Sequence, residues 1–247
     1  MSTTEVIVIV IGILVLSYLS GMLGLGVAFA AVPFLSFFLS DLVNEVQPLS
    51  LLLNGATALV AAIGFALSGF IDWRKAIGLA AVTTAFAPIG AAMTHVVPTS
   101  AIWGIYLLSV AYLAYRLFRP VQQRPGNENF RLALILAAPI SVLSGLLGVG
   151  PGFLLMPTLI LVGFETKHAA GINAFAVTLP SFSALIPHLS TAIWYPSLTV
   201  ALLIAGAVGS FAGARTSSLY VPGARLKQGF ALLIVAATAY KVVSFAL

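Results

Sequence analysis

Apolar residues run along this chain in long blocks with few polar interruptions, at residues 6–19, 27–39, 46–70, 76–97 and 101–118, and again at 132–142, 152–163, 169–189, 197–214 and 226–247. A helix needs roughly 20 apolar residues to cross a hydrocarbon core about 30 Å thick. The long blocks therefore predict transmembrane helices. The first two blocks of each half are shorter and meet at a glycine motif, SGMLGLG at 20–26 and SGLLGVG at 144–150. The pieces beside each motif hold about 13 to 15 residues, near 20 Å as helix, which falls short of a span. The pattern predicts an all-α polytopic membrane protein of two repeats. Each repeat is a glycine-broken re-entrant helix pair followed by three transmembrane helices. Ten full, thin crossings would have the same parity.

The one sustained polar stretch, 119–129, carries Pro120, Pro125, Gly126 and Asn127 and breaks the chain in two. It places a first repeat at 1–118, a cytoplasmic linker at 119–130 and a second repeat at 131–247, all within one integral membrane domain. Equivalences extend beyond the motif: Pro33 with Pro157, Asn54 with Asn173, Val97-Pro98 with Val221-Pro222, and Tyr115-Arg116 with Tyr240-Lys241. Duplication explains such matching better than chance.

Charge then fixes orientation. With an odd number of crossings per half, Arg74, Lys75, Arg116, Arg119, Arg124, Arg131, Lys167, Arg215, Arg225 and Lys227 fall on one side and Lys241 alone on the other. Same-sense repeats of four crossings would split the basic residues seven to four, so the excess of Lys and Arg in cytoplasmic loops favours inverted repeats. Asp41 and Glu45 then lie outside. Composition agrees with the class: 61% of residues are hydrophobic and 7% charged. The net charge of +5 reflects cytoplasmic loops and gives no reason to expect nucleic acid. The first basic residue is Arg74, so the N-terminal block lacks the basic flank of a secretory signal and is expected to stay as a membrane element. The chain has no cysteine, which removes disulfides and thiolate chemistry.

Paired glycine breaks at matching points of two halves point to a transporter's binding site. Candidate residues in the first copy are Ser20, Gly21, Gly24 and Gly26, and in the second Ser144, Gly145, Gly148 and Gly150. The helix after each turn presents free N–H groups and the positive end of its dipole, which suits an anion. Small residues also permit plain helix packing. Asn54 and Asn173 can contact an oxyanion without burying a charge, with Thr57, Thr178 and Ser181 adding hydroxyls nearby. Pro33 and Pro157 would free the carbonyls of Phe29 and Phe153 and mark a gate or kink. No Lys or Arg lies deep in a block, so binding by dipoles should be weak and reversible. Proton coupling would then use the substrate's own proton or a histidine at the mouth, His95, His168 or His188. Asp72 should cap the helix starting at Trp73. Trp73, Trp103, Trp194 and Tyr195 read as interfacial anchors, and Glu165 could pair with Lys167. No metal site, cofactor or catalytic residue is expected, since HExxH is missing and no histidine is placed to serve a serine nucleophile.

At the duplicated S-G-x-L-G-x-G motifs, with Pro33, Pro157 and GFIDWRK at 69–75, the whole chain resembles the TauE/SafE family. The resemblance implies export of sulfite, organosulfonates or related sulfur-containing or carboxylate anions across the inner membrane of prokaryotes. It marks the glycine motifs and the two prolines. The second half departs at Trp194-Tyr195, where it lacks the Asp-Trp pair, which argues against a duplicated role for Asp72. The expected function is a secondary transporter for a small anion, embedded in the bilayer, with room for a homo-oligomer. A channel-like facilitator and a non-transporting scaffold subunit are the alternatives.

Overall fold

Polar residues at the edges of the apolar blocks set where helices start. Ser2 and Glu5 form a reciprocal capping box at the first helix, and the Asp72 and Asn129 carboxylate and amide oxygens accept from Lys75 N at 3.3 Å and Leu132 N at 3.0 Å. Asp72 therefore caps its helix as expected. The computed structural model describes residues 2–94, 96–98, 100–102, 104–105, 108, 111–112, 115, 128–223, 225 and 228. Nearly all of the expected block 226–247 and of the linker, and much of 101–118, lie outside the described residues, as do His95, Trp103, Arg116, Arg119, Arg124, Lys227, Tyr240 and Lys241.

Eight helices are bounded among the described residues: α1 Thr3–Met22, α2 Ala28–Leu35, α3 Gln47–Ala66, α4 Trp73–Met93, α5 Phe130–Leu147, α6 Gly152–Leu161, α7 Thr166–Leu185 and α8 Pro196–Tyr220. A π-helical turn, Leu42–Val46, leads into α3. Six of these segments are long and apolar enough to cross a membrane; α2 and α6 are not. The helices before the glycine turns are longer than the apolar blocks suggest, 20 residues for α1 and 18 for α5. Their caps lie outside the apolar run, and the first Ser-Gly of each motif is still helical. The chain leaves the helix only near Gly24 and Gly148, where φ is +62° and +65°. Each pair is thus one long helix and one short one.

α3 and α7 are the most enclosed spans and cross head to tail at the centre, with Asn54 beside Ser181 and Phe70 beside Gly171. α1 runs alongside α8 in the same sense: Gly209 faces Leu14 and Gly213 faces Tyr18. α5 runs alongside α4 likewise, with Gly78 against Phe130 and Gly90 against Val142. Hydroxyls tie the outer helices to the inner pair. Ser210 Oγ donates to Thr57 O at 2.7 Å, and Thr83 Oγ1 donates to Ala176 O at 2.9 Å. So α1, α3 and α8 point one way, and α4, α5 and α7 the other. Lipid offers no hydrophobic drive between helices, so close glycine contacts and interhelical hydrogen bonds carry the packing. Ile7, Ile11, Ile77, Val200 and Ile204 stay exposed. Those outward faces suit lipid tails.

The two ends differ. One gathers the basic loops: Lys75 pairs with Glu128, Lys167 Nζ donates to Ser218 O at 3.0 Å, and Arg215 Nη1 to Ser68 Oγ at 2.9 Å. The other carries Asp41 and Glu45, whose carboxylate accepts from Tyr195 Oη at 2.6 Å.

Candidate functional site

Both glycine turns close on a single amide. Gly26 and Gly150 have φ of +71° and +68°, and a methyl group at either would run into the Asn54 side chain. Asn54 lies seven residues into α3, and its helix holds it at that depth. Its Oδ1 accepts from Ala28 N at 2.8 Å, and its Nδ2 donates to Ser181 Oγ at 2.8 Å. Thr57 Oγ1 accepts from Val27 N at 3.2 Å while donating to Leu53 O at 2.7 Å. The start of α2 is therefore capped from another helix, which satisfies two of the donors that a helix leaves free. Val27 itself supplies no side-chain cap.

Asn173 is used differently. Its Nδ2 donates to Gly24 O at 2.6 Å and Gly152 O at 3.2 Å, joining the first turn to α6. Its Oδ1 is buried without a hydrogen-bond partner, and so are Ser20 Oγ and Ser144 Oγ, one at the mouth of each turn. Phe29 and Phe153 stack between the two short helices, with ring centroids 6.3 Å apart and planes 15° apart. Both rings are buried.

Of the expected site residues, Gly24, Gly26, Gly148, Gly150, Asn54, Thr57 and Asn173 converge here. Gly148 faces the Gln47 side chain, whose Nε2 donates to Leu146 O at 3.4 Å. Gly21 and Gly145 face the backbones of Ser210 and Ala87, where they let helices approach. Thr178 Oγ1 donates to Ala174 O at 3.0 Å within its own helix; Ser181, one turn on, reaches Asn54 instead. Pro33 and Pro157 lie inside α2 and α6. The phenylalanine pair was open to discovery from sequence, since both residues stand at the same spacing from the motif. Gln47 was not, because its equivalent is Thr166.

Ser181→Ala is expected to cost about 0.6 to 1.7 kcal/mol, the range of interhelical hydrogen bonds in membranes. Thermal unfolding in detergent would register this as a drop of about 2 to 4 °C per kcal/mol. No change in melting would show that Asn54 Nδ2 has another acceptor.

No charged side chain joins this central cluster among the described residues. A cluster of charges sits at the basic end, around a pocket of ≈ 320 Å³ lined by Asp72, Lys75, Glu128, Glu165 and His168 among others. Lys75 bridges Asp72 at 3.2 Å and Glu128. Burial alone would raise the Asp72 carboxyl, but the Lys75 backbone N–H and ammonium and the Arg74 N–H outweigh it and hold the group below the usual range. Glu165 pairs with His168 Nδ1 at 3.2 Å and not with Lys167. On the first turn of a helix a residue three positions on lies over its neighbour, whereas one two positions on points away.

Comparison with known proteins follows the same lines. The sequence model of the family described as sulfite exporter TauE/SafE matches residues 8–241. A protein of Methanocaldococcus jannaschii named as a probable membrane transporter is 25% identical over 218 residues, covering 81% of this chain and 80% of that protein. No solved structure matches. A multi-pass bundle and a match over nearly the whole length agree: the chain is a membrane transporter protein belonging to the sulfite exporter TauE/SafE family.

Proposed function

We propose that this protein is a secondary transporter, not an enzyme, that exports a small anion across the cytoplasmic membrane, with sulfite, a sulfonate or a related sulfur-containing or carboxylate anion as substrate. The observation that carries the reading is the meeting of both glycine turns at Asn54, a neutral polar centre inside an apolar bundle. Ser20, Ser144 and Asn173 bring polar atoms with no internal partner to the same two turns. Unused buried polar atoms are costly to leave bare, and a ligand relieves that cost. The substrate meets dipoles and hydroxyls instead of a fixed cation, which favours release as well as capture.

In this reading residues 1–118 and 131–247 are inverted repeats. Support comes from direction: α1 and α5, α3 and α7, and α4 and α8 are equivalent by the duplication and run oppositely. The re-entrant course of the second half is supported by Asn129 N, which donates to Val162 O at 3.0 Å and so ties the start of α5 to the end of α6. In the first half Phe34 packs on Gly12, consistent with α2 folding back along α1. Pro33 and Pro157 stiffen the returning helices as gate elements. The buried Phe29–Phe153 stack closes the centre, which favours alternating access by rocking over an open channel.

Flux of labelled sulfite into proteoliposomes, with sulfonates and small carboxylates as competitors, tests the proposal. Saturable, competable flux is expected in the wild type, with loss in Gly148→Leu, whose side chain meets Gln47, and with impaired but measurable flux in Asn173→Ala. Folded protein that moves none of these anions would sink the transporter reading and leave a scaffold subunit.

A further inference from the structure

The central cluster lacks symmetry in one respect that bears on its ligand. Asn54 spends both ends of its amide inside the protein, whereas Asn173 spends only Nδ2. The orientation of Asn173 is set by its neighbours: turning the amide over would aim Oδ1 at the carbonyls of Gly24 and Gly152. Oδ1 is therefore an acceptor, fully buried, with no donor. Ser20 and Ser144 can each donate or accept, but an amide oxygen can only accept. A fully deprotonated oxyanion brings lone pairs alone and cannot satisfy it. An anion that keeps one O–H can.

We propose that the central site takes its substrate as a protonated monoanion, an oxyacid anion that carries an O–H, which it gives to Asn173 Oδ1. The inference deepens the transporter reading and rests on it. The proton enters with the substrate and leaves with it, dissociating in the receiving compartment if that is alkaline enough; no side chain changes its protonation state. The surroundings fit this. On α1, α2, α3, α5 and α6 the one titratable side chain near the turns is the Tyr18 phenol, two residues before Ser20, and none of these helices brings a carboxylate, imidazole or ammonium there. Glu5 stands at the far end of α1, Arg131 at the start of α5, and Glu45 precedes α3. On α7 the titratable groups are Lys167 and His168, and His168, five residues before Asn173, lies about 7.5 Å away along the axis and pairs with Glu165. α4 and α8 bring Arg74, Lys75 and Arg215, all at the basic end, and His188 follows α7 at the opposite end.

The test uses the wild-type protein in proteoliposomes loaded with a pH dye, with protein-free vesicles subtracted. Sulfite, methanesulfinate and sulfate are compared across the pH range of sulfite's second ionisation. Methanesulfinate matches hydrogen sulfite in charge and size but has a methyl in place of O–H. The expected result is that a proton accompanies each sulfite and that sulfite flux falls about tenfold per pH unit above that ionisation, following the monoanion. Methanesulfinate and sulfate should be poor substrates. Asn173→Ala, shown to be folded, should reduce the preference for hydrogen sulfite over methanesulfinate by about tenfold, the worth of one buried hydrogen bond. Saturable sulfite flux without proton movement, or methanesulfinate carried equally well, would overturn this inference and leave the transporter reading standing. Absence of saturable flux for every anion at every pH would overturn both.

Discussion

Gly24→Ala should destabilise the protein by about 2 to 5 kcal/mol and abolish saturable flux, the sum of a left-handed backbone cost and an overpacking cost. Gly24 has φ of +62°, and a methyl there would collide with the carbonyl oxygen of Ala170 on α7. That neighbour is backbone, so no rotamer change can relieve the clash. Either α7 shifts or the turn opens, and both would move Gly24 O away from Asn173 Nδ2. Gly69→Ala is the control. Gly69 has φ of +75° in the loop before α4, with nothing within 4 Å of the added methyl. It should lose only the backbone part, about 1 to 2 kcal/mol, and keep its flux. Thermal unfolding in detergent and sulfite flux read both variants. Equal losses in the two would mean that dihedral strain alone matters and that the fit of the turn against α7 does not.

Much of this architecture was open to sequence reading because the duplication repeats its constraints. Glycines required by positive φ recur at Gly24 and Gly148, and at Gly26 and Gly150, so the breaks stand out against an apolar background. Asn54 and Asn173 stand out because an amide within an apolar helix must find partners. Other features could not be read. A glycine that admits a neighbouring helix looks the same as one that turns the chain, so Gly21 and Gly145 could not be told from Gly24 and Gly148. The ends of α1 and α5 were obscured because apolar Met22 and Leu147 continue the helix into the motif. Most of all, the repeats hide their own asymmetry. Asn54 reaches Ser181, 127 positions away, and the residue equivalent to Ser181 is alanine, so Asn173 has no such partner.

That asymmetry also sets how the site should respond to substitution, with Asn54 the more consequential amide. Asn54→Ala leaves Ala28 N buried without its acceptor, at about 1 to 3 kcal/mol. That bond is the Asn54 part of the cap on α2, and the substitution also removes the bond to Ser181, at about 0.6 to 1.7 kcal/mol. Flux should vanish, because Gly26 and Gly150 lose the one side chain that both face. Asn54→Asp separates the cap from the donor. Its carboxylate keeps an acceptor for Ala28 N but has nothing to give Ser181, and an ionised group at this depth costs about 2.5 to 3.5 kcal/mol. Desolvation disfavours the charged form and pushes the aspartate's pKa up. Once neutral, the acid has one oxygen to accept from Ala28 N and one O–H to donate to Ser181, the same pattern as the amide. Flux of Asn54→Asp relative to wild type at the same pH should therefore recover as pH falls through the raised pKa, while Asn54→Ala stays inactive throughout. The stability gap to wild type should close over the same interval. A flat ratio across pH for Asn54→Asp would show that the amide acts at this position by size alone and that its two hydrogen bonds do not hold the turns together.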